Sequence, residues 1–147
     1  MFEKWKGKRA QQTSNGDRPP TLLAMTGSPA DAELLHAILA TTGWEFRIVG
    51  DIEDAVAFLS THGPSVVLCD RDLAGEDWRQ AIRKLANGHG RVILASFVAD
   101  DYLWEEVIQC GGYDVIAKPF REDEVIHMIQ FAWAALTKSL PSAPRTK

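Results

Sequence analysis

Asp70, Ser96 and Lys118 are the residues of this chain whose types and positions could do chemistry together. Asp70 follows Val66-Val67-Leu68-Cys69, four apolar residues of which two are β-branched, and precedes Arg71 and Asp72. That pattern predicts a buried strand carrying a carboxylate to its end. Val92-Ile93-Leu94-Ala95 runs into Ser96 in the same way, and Val115-Ile116-Ala117 runs into Lys118, Pro119 and Phe120. In an open parallel sheet, ligands sit beyond the carboxyl ends of the strands, so a carboxylate, a hydroxyl and an ammonium would face one cleft. A carboxylate placed there can be an oxygen nucleophile or a ligand for a hard cation. It can equally well pair with the lysine, or begin a turn and do nothing more.

The rest of the pattern says what must hold these three residues. Thr21-Leu22-Leu23-Ala24-Met25-Thr26 reads as a first strand, and Gly27-Ser28-Pro29 turns it into a helix. Ser28 is placed as the N-cap, Pro29 as the first helical residue and Asp31 as the capping-box partner three residues after the cap. Leu34, Leu35, Ile38 and Leu39 form that helix's apolar face before Gly43. Trp44 to Val49 is a second strand, and Asp51 caps a helix with Ile52, Ala55, Val56 and Leu59 inward, ended by Gly63-Pro64. After the Asp70 strand come a loop with Gly75 and a helix buried through Trp78, Ala81, Ile82 and Leu85. Asn87-Gly88-His89-Gly90 leads back to the Val92 strand. Asp100 or Asp101 starts a helix reaching Cys110, and the last helix, from about Glu122 to Leu136, faces inward on Val125, Ile129, Ala132, Trp133 and Leu136. Five alternations of strand and helix imply an α/β fold: a doubly wound, five-stranded parallel sheet in the flavodoxin-like order 2-1-3-4-5, with helices on both faces. Strands one and three then flank the switch point, where the end of strand one meets Asp70.

Composition narrows the classes. The 147 residues are 46% hydrophobic, enough for one domain with a real core. A net charge of −4 and no basic stripe in the body argue against nucleic-acid binding. No apolar run approaches the roughly 18 residues needed to span a bilayer. Cys69 and Cys110 lie in apolar contexts without metal-ligand spacing and read as buried thiols of a cytoplasmic protein. Trp44, Trp78 and Trp133 read as core, and His36, His62, His89 and His127 as surface or helix-face residues outside any ligand or triad spacing. Residues 1–20, with Phe2 and Trp5 among basic and polar residues, read as a flexible tail, 21–138 as the domain, and 139–147 as a second tail.

A strand-end Asp, a strand-end Ser and a strand-end Lys-Pro-Phe, in that order, resemble the receiver domains of two-component response regulators. The resemblance covers about residues 21–138. It implies that Asp70 accepts a phosphoryl group from a sensor histidine kinase or phosphotransfer protein, that Ser96 and Lys118 contact the phosphoryl oxygens, and that Lys118-Pro119 is cis. It implies a signalling module rather than an enzyme, working by protein contacts through the face of helix four, strand five and helix five, where Trp104 and Phe131 lie off the inward stripes. With no output domain following, it implies a stand-alone regulator in a phosphorelay, engaging a downstream partner or a second copy. Receivers also hold a Mg²⁺ ion with an acidic pair at the end of strand one, the phosphoacceptor and a backbone carbonyl two residues beyond it, here that of Asp72.

The acidic pair is absent. Its positions fall on Thr26 and Gly27, so Asp70 and the side chain of Asp72 remain as charged donors and Mg²⁺ binding is expected to be weak. Asp31 is expected to be spent on capping. Phe97 stands after Ser96 where a small residue is favoured and is expected to narrow access to Asp70. Val115 replaces the usual aromatic switch residue, and the Leu73–Trp78 loop lacks the usual Pro and Gly. Two alternatives to a phosphoacceptor follow. One is a pseudo-receiver, the same fold used as a phosphorylation-independent interaction module. The other is a flavodoxin-like cofactor or phosphate binder with Thr26-Gly27-Ser28 as an anion cradle at a helix N-terminus.

Overall fold

The computed structural model describes residues 18–73 and 75–138. The segments 1–17 and 139–147, with Phe2 and Trp5, and Ala74 of the 73–78 loop lie outside the described residues. Among the described residues five strands, β1 (Thr21–Met25), β2 (Glu45–Val49), β3 (Ser65–Asp70), β4 (Gly90–Ser96) and β5 (Asp114–Ala117), alternate with five helices. The helices are α1 (Pro29–Ala40), α2 (Ile52–His62), α3 (Trp78–Asn87), α4 (Asp101–Gln109) and α5 (Glu122–Lys138). All strand pairs are parallel, in the order β2-β1-β3-β4-β5, as the alternation predicts.

The sheet separates two cores. Leu23, Met25, Val67, Cys69, Val92 and Leu94 project toward α2, α3 and α4, while Leu22, Ala24, Val66, Leu68, Ile93 and Ala95 project toward α1 and α5. Period-two alternation inside β1, β3 and β4 therefore sends apolar residues to both faces, which is why these strands read as unbroken apolar runs. Edge strand β2 is different: Glu45 and Arg47 are exposed and Phe46 and Ile48 half-buried. The start of β4 needs glycine. A Cβ on Gly90 would lie 2.8 Å from Val67 Cγ2 and 2.9 Å from the Leu85 carbonyl oxygen, so β3 and α3 close over a backbone without a side chain.

The helix starts follow from their caps. Ser28, Asp51 and Asp100 each accept a hydrogen bond from the backbone N–H three residues on, leaving fewer orphan donors at the first turn. Two inward assignments are corrected. Leu34 and Val56 are exposed, and Phe58 joins Ile52, Ala55 and Leu59 in the core instead. In both helices the displaced residue flanks the buried stripe, and a single helical step of about 100° carries it from the sheet to solvent. Trp44 is half-buried, whereas Trp78 and Trp133 are core residues. Arg18 is held on α5, where Trp133 Nε1 donates to its carbonyl oxygen at 2.9 Å.

Candidate functional site

Asp70 ends β3 beside Ala95 of β4, and Ser96, one residue farther along, lies opposite Ala117 of β5, immediately before Lys118. Parallel in-register pairing thus gathers three side chains that lie far apart in sequence at the carboxyl edge of the sheet. All three are buried, although each is polar or charged. Burial of that kind is sustained only by partners.

The partners of Asp70 take up both its oxygens. Oδ1 accepts from Lys118 Nζ at 3.2 Å and from the Asp72 backbone N–H at 3.1 Å. Oδ2 accepts from the Thr26 hydroxyl at 3.1 Å. Thr26 Oγ1 in turn accepts from the Ser28 N–H at 3.1 Å, which aims the hydroxyl proton at Asp70. Thr26 is therefore a hydrogen-bonding member of the site in the position where a carboxylate was absent. Lys118 follows a β5 end whose Lys118-Pro119 bond is cis, as expected from the resemblance.

Lys118 has a second carboxylate. Its Nζ donates to Asp31 Oδ2 at 2.8 Å, closer than to Asp70. This corrects the expectation that capping uses up Asp31. The cap uses only the Asp31 backbone N–H, which donates to Ser28 Oγ at 3.1 Å, and the carboxylate is left free to turn toward the sheet. Burial opposes the charge on Lys118, but hydrogen bonds to Asp31 and Asp70, with the charges of those carboxylates, outweigh it and raise its pKa above the ordinary lysine value of 10.5. The ammonium also lies 4.8 Å from the centroid of the exposed Phe97 ring. Phe97 thus flanks the group beside Asp70, as its position after Ser96 suggested.

Arg71 completes the site and was not singled out from sequence. Its Nη1 donates to Ser96 Oγ at 3.3 Å, while its guanidinium carbon lies 5.8 Å from the centre of the Trp78 ring. The signal was present in Val66-Val67-Leu68-Cys69-Asp70-Arg71 as a cation adjoining the strand-end acid. Only the neighbouring strand shows that it meets Ser96. Ser96 Oγ also accepts from the Val98 N–H at 3.1 Å.

The oxygen donors present do not suit Mg²⁺. The ion requires a hard, near-octahedral oxygen set, with a carboxylate or two among its ligands. Asp72 is exposed and contributes its backbone N–H to Asp70, and among the described residues no three His, Cys, Asp or Glu side chains form a group able to hold a metal. Among the described residues Asp70 is the one buried carboxylate, and Thr26 already donates to its second oxygen. The anion cradle at Thr26-Gly27-Ser28 is also depleted, since the Ser28 N–H goes to Thr26 and Ser28 Oγ to the Asp31 N–H.

Trp104 on α4 and Phe131 on α5 are 44% and 68% exposed, so both are open to a partner. Val115 is half-buried against the α2, α3 and α4 core. Cys69 is buried, and desolvation, with the charges of Asp70 and Glu76, pushes its thiol up to about 12.

Fold and site together define a receiver-type module, and residues 24–130 match the family described as the response regulator receiver domain. The chain belongs to that family, the receiver domains of two-component response regulators. It is 28% identical over 101 residues to the chemotaxis protein CheY of Bacillus subtilis, covering 65% of this chain and 82% of that protein. It is 24% identical over 110 residues to the transcriptional regulatory protein TrcR of Mycobacterium tuberculosis, covering 74% of this chain and 43% of TrcR. The chain thus spans less than half of TrcR. Among solved structures, the signal receiver domain of an HD domain-containing protein from Pseudomonas fluorescens superposes with a TM-score of 0.73 at 17% identity, covering 82% of this chain and 91% of that one. Chemotaxis protein CheY4 of Vibrio cholerae gives 0.71 at 14% identity, covering 78% and 99%. Both show the same fold. Among the described residues no helix is long and apolar enough to cross a membrane.

Proposed function

We propose that this receiver takes a phosphoryl group onto Asp70 from a histidine kinase or phosphotransfer protein in the cytoplasm, and signals by protein contact. The observation that carries this reading is the Lys118 ammonium 3.2 Å from Asp70 Oδ1 in a buried site. A carboxylate is a weak nucleophile, and transfer to it depends on cations and hydrogen-bond donors that take up phosphoryl charge. Lys118 and the Ser96 hydroxyl are the groups for that task. Mg²⁺ binding is weak, and labelling by small donors is slow, because Lys118 and Thr26 already satisfy Asp70. Mass spectrometry of protein incubated with acetyl phosphate tests the reading. Asp70 carries the label, and Asp70→Asn abolishes it; a label that survives Asp70→Asn refutes it.

One observation favours the second reading, a pseudo-receiver whose binding state ignores phosphorylation. Asp31 and Asp70 together hold Lys118, so in the unmodified site these three charged groups already satisfy one another. Under either reading the partner, or a second copy, docks on the α4, β5 and α5 face through Trp104 and Phe131. Partner capture unchanged in a Trp104→Ala, Phe131→Ala variant would rule that face out.

A further inference from the structure

We infer that Arg71 is a phosphoryl-binding residue of this site, its guanidinium taking an oxygen of the group held at Ser96 so that binding needs no divalent cation. The inference rests on the reading of Asp70 as phosphoacceptor and adds to it a residue and a cation requirement.

Among the described residues four charged side chains meet around Asp70 and Ser96. Asp31 and Asp70 are acidic, Lys118 and Arg71 basic, and their charges cancel. Asp72 lies out in solvent, where its charge is screened. The site is therefore neutral with no ion added. Lys118 is committed to two carboxylates, but among the described residues Arg71 has no carboxylate partner; Ser96 Oγ is its side-chain hydrogen-bond acceptor. A guanidinium carries five N–H donors in a planar fork, so most of them remain open beside that hydroxyl. The face of Trp78 lies near the guanidinium, and Arg79, whose guanidinium carbon is 4.4 Å from the same ring centre, is taken up by Glu106 at 3.1 Å. Among the described residues Arg71 is thus the cation at this edge without a carboxylate partner, positioned before any ligand arrives. Preorganised donors aimed at developing negative charge are the largest single aid to transfer of this kind.

The transfer step balances without a metal. An oxygen lone pair of Asp70 forms a bond to phosphorus as the donor's P–O bond breaks, and with acetyl phosphate the electron pair leaves on acetate. Asp70 becomes an acyl phosphate carrying one more negative charge than the carboxylate. No proton moves. Lys118 and Arg71 stay protonated, and an oxygen on the Ser96 hydroxyl is within the reach of the Arg71 fork.

The test uses the full chain in two measurements, each with excess EDTA and with excess Mg²⁺. In the first, acetyl phosphate labels Asp70, read by intact mass. The wild type labels equally in both conditions to within about twofold, Arg71→Ala loses at least about tenfold in EDTA, and Arg71→Lys recovers part of the loss. In the second, inorganic phosphate is titrated in EDTA while the Arg71 Nε–Hε resonance is followed, and it shifts saturably. Labelling that requires Mg²⁺ and is unchanged in Arg71→Ala overturns the inference and leaves the phosphoacceptor reading standing. A chain that never labels, yet shows the phosphate-dependent shift and loses phosphate binding in Arg71→Ala, overturns the phosphoacceptor reading and supports Arg71 as the anion-binding group. With neither label nor shift, both fail.

Discussion

Replacing Lys118 with methionine keeps an unbranched side chain, one atom shorter, and removes the ammonium that joins Asp31 to Asp70. The Lys118 and Asp70 side chains are only 5% and 8% exposed, whereas Asp31 is 21% exposed. Water can therefore re-solvate Asp31 but not Asp70. Removing one partner of a buried ion pair costs about 3–5 kcal/mol, mostly because the other charge is left uncompensated. Asp70 keeps the Thr26 hydroxyl and the Asp72 N–H, so the expected loss lies at the lower end, about 3 kcal/mol. The same argument requires a rescue. Adding Asp70→Asn to Lys118→Met deletes the orphaned charge and should recover about 1–2 kcal/mol, even though two residues of the site are now altered. Asp70→Asn alone should be mild, because Lys118 retains Asp31 at 2.8 Å. Urea unfolding of the four proteins, followed by tryptophan fluorescence and far-ultraviolet circular dichroism, gives the cycle directly. If Lys118→Met lies within about 1 kcal/mol of the wild type, or the double variant is less stable than Lys118→Met, the buried-charge account is wrong.

The Thr26→Asp, Gly27→Asp variant should bind Mg²⁺ at least about tenfold more tightly than the wild type by calorimetry, because it restores clustered carboxylates whose repulsion the ion relieves. Gly27 can accept the side chain, since a Cβ there would lie 3.5 Å from Leu73 Cδ1, ordinary contact. Equal affinity in the two proteins would show that some other group replaces the missing acids. Lys118 sets a pH limit on stability. Its folded pKa is raised, so the contribution of its ion pairs is complete below the ordinary 10.5 and is lost as pH rises through the folded value. The urea midpoint of the wild type should accordingly fall toward that of Lys118→Met only above pH 10.5; convergence at neutral pH would contradict the sign. Gly90→Ala should cost about 1–3 kcal/mol by overpacking β3 and α3, measured in the same unfolding assay, and a neutral result would mean that β4 shifts freely. Cys69, with its thiol pushed up to about 12 and its side chain buried, should resist iodoacetamide in the native protein at neutral pH and react on unfolding.

Much of this molecule is legible in the order of its residues. Apolar runs ending in Asp70, Ser96 and Lys118 specify both the strands and the edge they share, because a parallel α/β sheet leaves only one end of each strand facing the cleft. The caps at Ser28, Asp51 and Asp100 are readable for a similar reason: a cap is a local bond between residues three apart. The missing acids at Thr26 and Gly27 are legible as well, since charge belongs to residue type. Tertiary structure decided where side chains with more than one option went. Asp31 could cap its own helix or reach across the sheet edge, and only the placement of the first turn of α1 at the carboxyl edge where β5 ends brings Lys118 Nζ within 2.8 Å of its carboxylate. Arg71 could extend into water or turn over Trp78 to Ser96, and that choice depends on β4 lying next to β3. Leu34 and Val56 show the same limit in the core, where a helical period of 3.6 leaves flanking residues undecided until the sheet's position is set. Backbone pattern and residue type act over a few residues, whereas the pairing of charged side chains at a sheet edge is a contact between segments tens of residues apart.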